Sequence, residues 1–392
     1  MPRLPRTVIA LGVVSFFTDF SSEMIYPLLP LFLSSVLGAG AFALGLIEGV
    51  AESTASLVKI ASGIWTDRLK RRKPFLVAGY GLAGAVRPLI GLAQVWPLVL
   101  LFRFADRVGK GLRSSPRDAL IADVTVSEQR GAAYGLHRAM DHAGAVAGPL
   151  MAALLMSAAG FSIRTVFLCA AIPAAVVMIV LLFAVKDPPR SHEPVVSEVK
   201  TANPVKASWN DLGGGFKWYL ATLLLFTLGN STDAFLLLRL SDAGVPAVWT
   251  ATLWALHHVV KMLATYYGGR FSDRIGYRRM IVWGWLVYAA VYAGFAAAGS
   301  AAGLIAVFLA YGIYFGLTEP AEKALVSRLA PASARGSAFG YYHGVIGLGA
   351  LPASLLFGLI WKLWGAPVAF VTGAGLALAA ALLLTSIRLN EN

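Results

Sequence analysis

Long apolar segments alternate with short polar ones along almost the whole chain, and their lengths, more than any single motif, set the architecture. A bilayer core about 30 Å thick needs about 20 apolar helical residues per crossing. By that measure twelve spans are predicted, near residues 7–36, 42–66, 74–94, 97–122, 129–158 and 162–185, then 215–242, 246–271, 277–299, 302–328, 334–362 and 366–387. Between the two sets, residues 186–214 carry Pro188, Pro189, Pro194 and Pro204 with mixed charge, which cannot cross a bilayer. The pattern therefore predicts an N-terminal six-helix bundle (1–185), a cytoplasmic linker (186–214) and a C-terminal six-helix bundle (215–392).

The polar punctuation repeats. Gly63 to Lys73 reads G-I-W-T-D-R-L-K-R-R-K and Gly269 to Arg279 reads G-R-F-S-D-R-I-G-Y-R-R, at an offset of 206 residues (273 − 67). R-G-A-A-Y-G at 130–135 returns as R-G-S-A-F-G at 335–340, an offset of 205 (335 − 130), and F-S-S-E ending at Glu23 is echoed by N-S-T-D ending at Asp233. An offset of half the chain means two similar halves, and an even number of spans in each gives them the same orientation. Cations crowd the N-terminus, both repeated loops, the linker and the C-terminal end, which predicts a cytoplasmic location for both termini.

Composition agrees with this pattern. Hydrophobic residues make up 58 % of the 392, 14 % are charged and the mean hydropathy is +0.70, whereas soluble domains carry about 25 % charged residues. The fold class expected is an all-α integral membrane protein. The N-terminal run resembles a secretory signal, but Asp19 and Glu23 interrupt it and no A-x-A site follows, so it is taken as the first span. The single cysteine, Cys169, leaves no internal disulfide or thiolate metal cluster. The net charge of +13 is accounted for by the loops, and no nucleic-acid partner is expected.

At this point the chain resembles the major facilitator superfamily. Gly63, Asp67, Arg68, Arg71 and Arg72 are similar to that superfamily's loop between helices two and three, and Gly269, Asp273, Arg274, Gly276, Arg278 and Arg279 match the second copy more completely. Arg103 stands where the family places a buried arginine. Gly135, Gly144, Gly148 and Pro149, followed by Ala152 and Ala153, resemble the antiporter motif of the drug/proton exporters. Lys70, Asp106 and the two alanines depart from the usual residues. The resemblance implies twelve transmembrane helices in two parallel six-helix repeats around a central cavity. It also implies that the loop aspartates form a cytoplasmic latch, with Arg113 and Arg117 of helix four as the expected partners of Asp67. The more complete second copy ranks Asp273 at least as high as Asp67.

Charges within spans are the candidate functional groups, because each costs roughly 2.5–3.5 kcal/mol at mid-bilayer on insertion scales. Asp19 and Glu23 lie one turn apart in helix one, and two carboxylates so close cannot both ionise cheaply, so one is expected to carry a proton. With Asp233 and Asp106 they are the candidate proton or cation carriers; static pairing with buried arginines is the alternative. The expected substrate cavity takes in Tyr26, Glu52, Arg107, Lys110, His137, Asp141, Asn230 and Glu319. His257 and His258, being adjacent, diverge by about 100° and cannot share one site. No metal site, cofactor or catalytic residue is expected, since no convergent His pair, P-loop, nucleophile elbow or H-E-x-x-H occurs.

The expected function is secondary active transport by alternating access, with proton-coupled export of a small organic compound or drug. Uptake or facilitated diffusion of an anionic metabolite, bound by Arg107 and Lys110, is the alternative within transport, and a non-transporting receptor or scaffold the alternative outside it. The expected partners are the substrate, protons and the lipid bilayer. A monomer in a bacterial-type inner membrane is expected.

Overall fold

The computed structural model describes residues 4–39, 41–69, 71–187, 209, 212–231, 233–245 and 247–386. Most of the predicted linker, Lys70 and the side chain of Glu52 lie outside the described residues. Within them the chain is helical and forms twelve spans: α1 (Arg6–Val36), α2 (Ala41–Asp67), α3 (Lys73–Leu92), α4 (Trp96–Asp123), α5 (Arg130–Ala158), α6 (Ile163–Phe183), α7 (Gly214–Gly229 and Ala234–Asp242), α8 (Ala247–Ile275), α9 (Tyr277–Ala297), α10 (Ala301–Leu329), α11 (Arg335–Trp364) and α12 (Ala366–Ser386). Eight of these are long and apolar enough to cross a membrane by length and composition alone. The other four, α2, α4, α7 and α8, are interrupted or carry the charges on which the interior is built.

Helix ends and breaks have local causes. Ser162 and Ser300 cap α6 and α10, each hydroxyl accepting from the backbone N–H three residues on (3.2 Å in both). Pro27 and Pro30 remove donors from α1, whose regular part stops at Glu23 and continues as short irregular turns to Val36. The corresponding break in α7 falls at Asn230, so the first helix of each half is discontinuous. Between α8 and α9, Gly276 turns the chain at φ +100°, a conformation that favours glycine and explains its place in the second loop.

The outside of the bundle is apolar, with Leu101, Phe104, Ile172, Phe183, Leu355 and Leu382 exposed, while Arg72, Arg103, Asp106, Asp118 and Lys323 are buried. Large apolar residues meet lipid and the charges face inward, as a membrane solvent demands. Lipid tails supply no hydrophobic drive between helices, so contact depends on close approach of small residues. A Cβ added to Gly148 of α5 would lie 2.7 Å from the carbonyl oxygen of Phe20 on α1, and one added to Gly135 only 2.5 Å from that of Thr265 on α8. The antiporter-like glycines therefore serve two seams: Gly144 and Gly148 join α5 to α1, and Gly135 joins α5 to α8 in the other half. In the second half an aromatic core fills the space between helices, with Phe226 stacked on Trp285 at 4.7 Å and Tyr288 on Tyr292 at 4.2 Å.

Gly135→Leu is expected to lower stability by roughly 1–3 kcal/mol or more through overpacking, read as a lower thermal midpoint in detergent. Gly375→Ala, whose added Cβ meets nothing within 4 Å, should leave the midpoint unchanged or slightly raised.

Candidate functional site

Three layers of charge run inward from the face that carries the two repeated loops. In the outermost layer each loop aspartate receives the start of a helix from the opposite half. Gly336 and Ser337, in the first turn of α11, donate their N–H groups to Asp67 Oδ1 (2.8 Å) and Oδ2 (2.6 Å). Gly131 and Ala132, in the first turn of α5, donate to Asp273 Oδ1 (2.7 Å) and Oδ2 (2.8 Å). A carboxylate at a helix N-terminus satisfies donors that have no partner within the helix and complements its dipole. The glycine before each aspartate, Gly63 or Gly269, lets the helices come close enough: an added Cβ would run into Gly336 or Gly131 of the partner helix.

The two copies differ in what backs the aspartate. Arg72 reaches Asp67 at 3.2 Å and Asp123 at 2.7 Å, and Arg335 of α11 joins Asp123 at 2.8 Å. Behind Asp273 the corresponding group is the hydroxyl of Tyr277, at 3.0 Å. Arg113 and Arg117, expected beside Asp67, are placed elsewhere: Arg113 lies over the Tyr80 ring at 4.6 Å and Arg117 pairs with Asp118 at 3.0 Å. Arg68, Arg71, Arg274 and Arg279 are exposed on the loop face. Arg278 donates to the last carbonyls of α12, at Leu384 (2.9 Å) and Thr385, as Lys73 does to those of Leu182 and Val185 after α6.

The middle layer centres on Asp118 of α4, whose side chain is fully buried. Besides Arg117 it meets Lys323 of α10 at 3.1 Å and His343 of α11 at 2.9 Å, so one carboxylate joins three helices across the halves. Tyr134 donates to the Asp118 carbonyl at 2.7 Å. His137 lies near Arg117, Asp141, Lys323 and Asp118, fully buried, with neither ring nitrogen hydrogen-bonded among the described residues.

The innermost layer holds most of the candidate carriers. Asp19 of α1 lies near Asp141 of α5, Glu23 and Lys110. Asp141 accepts from Ser15 at 2.5 Å and from Arg138. Arg138 forms a two-point bond with Glu319 of α10, at 2.7 and 2.5 Å, and His142 stands 3.4 Å from the same carboxylate. Glu23 turns towards Lys110, Arg87, Arg107 and Arg103. Asp106 lies among those arginines, 2.7 Å from Arg87, 3.5 Å from Arg103 and 3.9 Å from Arg107, while Arg103 and Arg107 both donate to the Tyr26 hydroxyl. In the second half Asp233 starts the second segment of α7 and meets Lys261 at 3.7 Å and the Tyr311 hydroxyl at 3.1 Å, and Asn230 accepts from Tyr288 at 3.3 Å. His257 is stacked against Phe308 at 4.7 Å, whereas His258 faces Trp254 at 5.2 Å and His142 at 5.4 Å.

Sequence reading missed Arg87, Asp118, Asp123, Arg138, His142 and His343. Arg87, Arg138, His142 and His343 lie inside predicted spans, so the criterion that singled out Asp19 applied to them equally; Asp118 and Asp123 lie close enough to a helix end to pass for surface charge. No group of three or more His, Cys, Asp or Glu able to hold a metal ion occurs among the described residues.

The sequence profile of the Major Facilitator Superfamily matches residues 11–260 and 248–391. An uncharacterised MFS-type transporter of Methanocaldococcus jannaschii is 32 % identical over 391 residues, 98 % of this chain and 96 % of that protein. A multi-drug resistance efflux pump of Streptococcus pneumoniae is 25 % identical over 353 residues, 85 % of each chain. The crystal structure of a human organic anion transporter superposes with a TM-score of 0.79 at 15 % identity, covering 98 % of this chain and 100 % of that one.

The buried Arg72 behind Asp67 makes the two loop aspartates unequal, in the opposite sense to the completeness of their motifs. Asp67→Asn is expected to lower the thermal midpoint and the initial transport rate in liposomes more than Asp273→Asn does. Removing one partner of a buried ion pair costs about 3–5 kcal/mol, more than loosening a carboxylate held by main-chain N–H groups and a hydroxyl.

Proposed function

The chain belongs to the major facilitator superfamily, and from that premise we propose that this multi-pass membrane protein exports a small organic compound in exchange for protons, by alternating access to a site between its two halves. The rocking bodies are residues 1–185 and 215–392, tethered by the 186–214 linker, with the loop face and both termini in the cytoplasm of a bacterial-type inner membrane.

One observation carries the exchange reading: Asp19, Glu23 and Asp141 are gathered in the innermost layer where α1 meets α5, with Ser15, one turn before Asp19, bonded to Asp141 at 2.5 Å. Carboxylates gathered so closely in a poorly hydrated interior do not all ionise cheaply, which makes a proton the natural companion of the group, and Lys110 stands beside them. The layer opens onto both halves through Arg138 and Glu319, so a compound bound there and a proton on Asp19 compete for one charge environment. Similarity to the streptococcal efflux pump supports the outward direction. The loop aspartates, each holding the opposite half by main-chain bonds, keep the cytoplasmic side closed while the site faces outward.

Uptake of an organic anion is the second reading, favoured by the gathering of Arg87, Arg103 and Arg107 around Tyr26. In that case counterflow would proceed at full rate, but an imposed pH gradient would not drive accumulation. A receptor or scaffold would move no ligand at all.

A ligand found by thermal stabilisation is the substrate for the test. In liposomes, a proton gradient is expected to drive its uphill movement. Asp19→Asn should reduce that driven transport by at least about ten-fold while sparing counterflow. Wild-type transport indifferent to the gradient would remove proton exchange as the function.

A further inference from the structure

Arg138 on α5 sits between two carboxylates that belong to different halves. It donates to both oxygens of Glu319 on α10 (Nε to Oε2 2.7 Å, Nη2 to Oε1 2.5 Å) and, through Nη1, to Asp141 one turn along its own helix. Arg138 follows Gly131 and Ala132 by seven and six residues in α5, about 10 Å behind their main-chain bonds to Asp273 at 1.5 Å per residue. The loop face therefore cannot part along this seam until the Arg138–Glu319 bond gives way.

The internal repeat shows what is special about this bond. The offset of 205 that aligns Arg130 with Arg335 also aligns Arg138 with His343, and His343 reaches Asp118 on α4 at 2.9 Å. Both positions thus tie their helix to the opposite half. The residue equivalent to Asp141 is Ile346, however, so the second tie has no carboxylate in that place (141 + 205). At Arg138 the guanidinium has a choice between a partner that joins the halves and one that does not.

We propose that Arg138 is the positioning residue that converts proton uptake into opening: a proton taken up from water by Glu319 leaves the guanidinium to Asp141 alone and unties α5 from α10. Coupling of that proton to transport rests on the exchange reading; the tie itself does not. One O–H bond breaks on hydronium and one forms on Glu319, the site gains one positive charge, and the arginine keeps its bond to Asp141. The side chain of Glu319 keeps 21 % of its surface exposed, so water reaches it without unfolding anything. The other charged or titratable groups near Glu319 are His142 of α5, Lys261 of α8, Tyr314, Glu322 and Lys323 of α10 and Tyr342 of α11; the step asks none of them to change charge.

Accessibility of a buried thiol tests the tie without a substrate. The chain has one cysteine, so Cys169→Ser with Ser327→Cys, a near-isosteric change at a buried site on α10 by the loop face, gives a single reporter for N-ethylmaleimide. Glu319→Gln, which imitates the protonated acid, should raise the labelling rate at least about five-fold, and Arg138→Gln should do the same from the other end of the bond. Asp141→Asn removes the competing partner and should lower labelling below that of the parent. A general loss of packing would raise labelling in all three. A rise with Asp141→Asn, or no rise with either Glu319→Gln or Arg138→Gln, overturns the proposal. If labelling behaves as expected yet a pH gradient drives no transport, the tie stands and proton exchange falls.

Discussion

A charge inside a hydrocarbon layer must find a partner, and in this protein many of the partners lie on the far side of the molecular midline. Asp67 holds α11, Asp273 holds α5, Asp118 gathers Lys323 and His343, and Arg138 grips Glu319. Since lipid supplies no hydrophobic pressure between helices, these bonds and the glycine contacts beside them do the work that an apolar core does in a soluble protein. Most soluble folds would count so many buried ions as a liability. Here they join two six-helix bodies that lipid alone would not hold together.

The layers differ in kind as well as depth. At the surface the acceptors are carboxylates and the donors are main-chain N–H groups. Further in, both members are side chains, and they include histidines and closely spaced acids.

Much of the architecture was legible in the chain because the bilayer imposes a length, and hydropathy reports it directly. The twelve spans follow from apolar runs and the internal repeat, whereas the breaks after Glu23 and at Asn230 fall inside segments read as continuous. The main-chain partners of Asp67 and Asp273 were accessible from the repeat and from the known affinity of carboxylates for helix starts. The placement of Arg113 and Arg117 was not, because both lie on the correct helix but point towards Tyr80 and Asp118, which depends on rotation about the α4 axis. Arg138 itself met the criterion of a charge inside a span; its pairing did not show, because the partner lies 181 residues away and no local pattern joins them.

Main-chain recognition at the loop face has an evolutionary consequence. Position 337 is serine and its repeat mate, position 132, is alanine, yet both present the same N–H to an aspartate. A bond made to the backbone survives mutation of the residue that makes it, provided the side chain stays small. The side chains of the inner layers can therefore change while the joint between the two halves is left untouched.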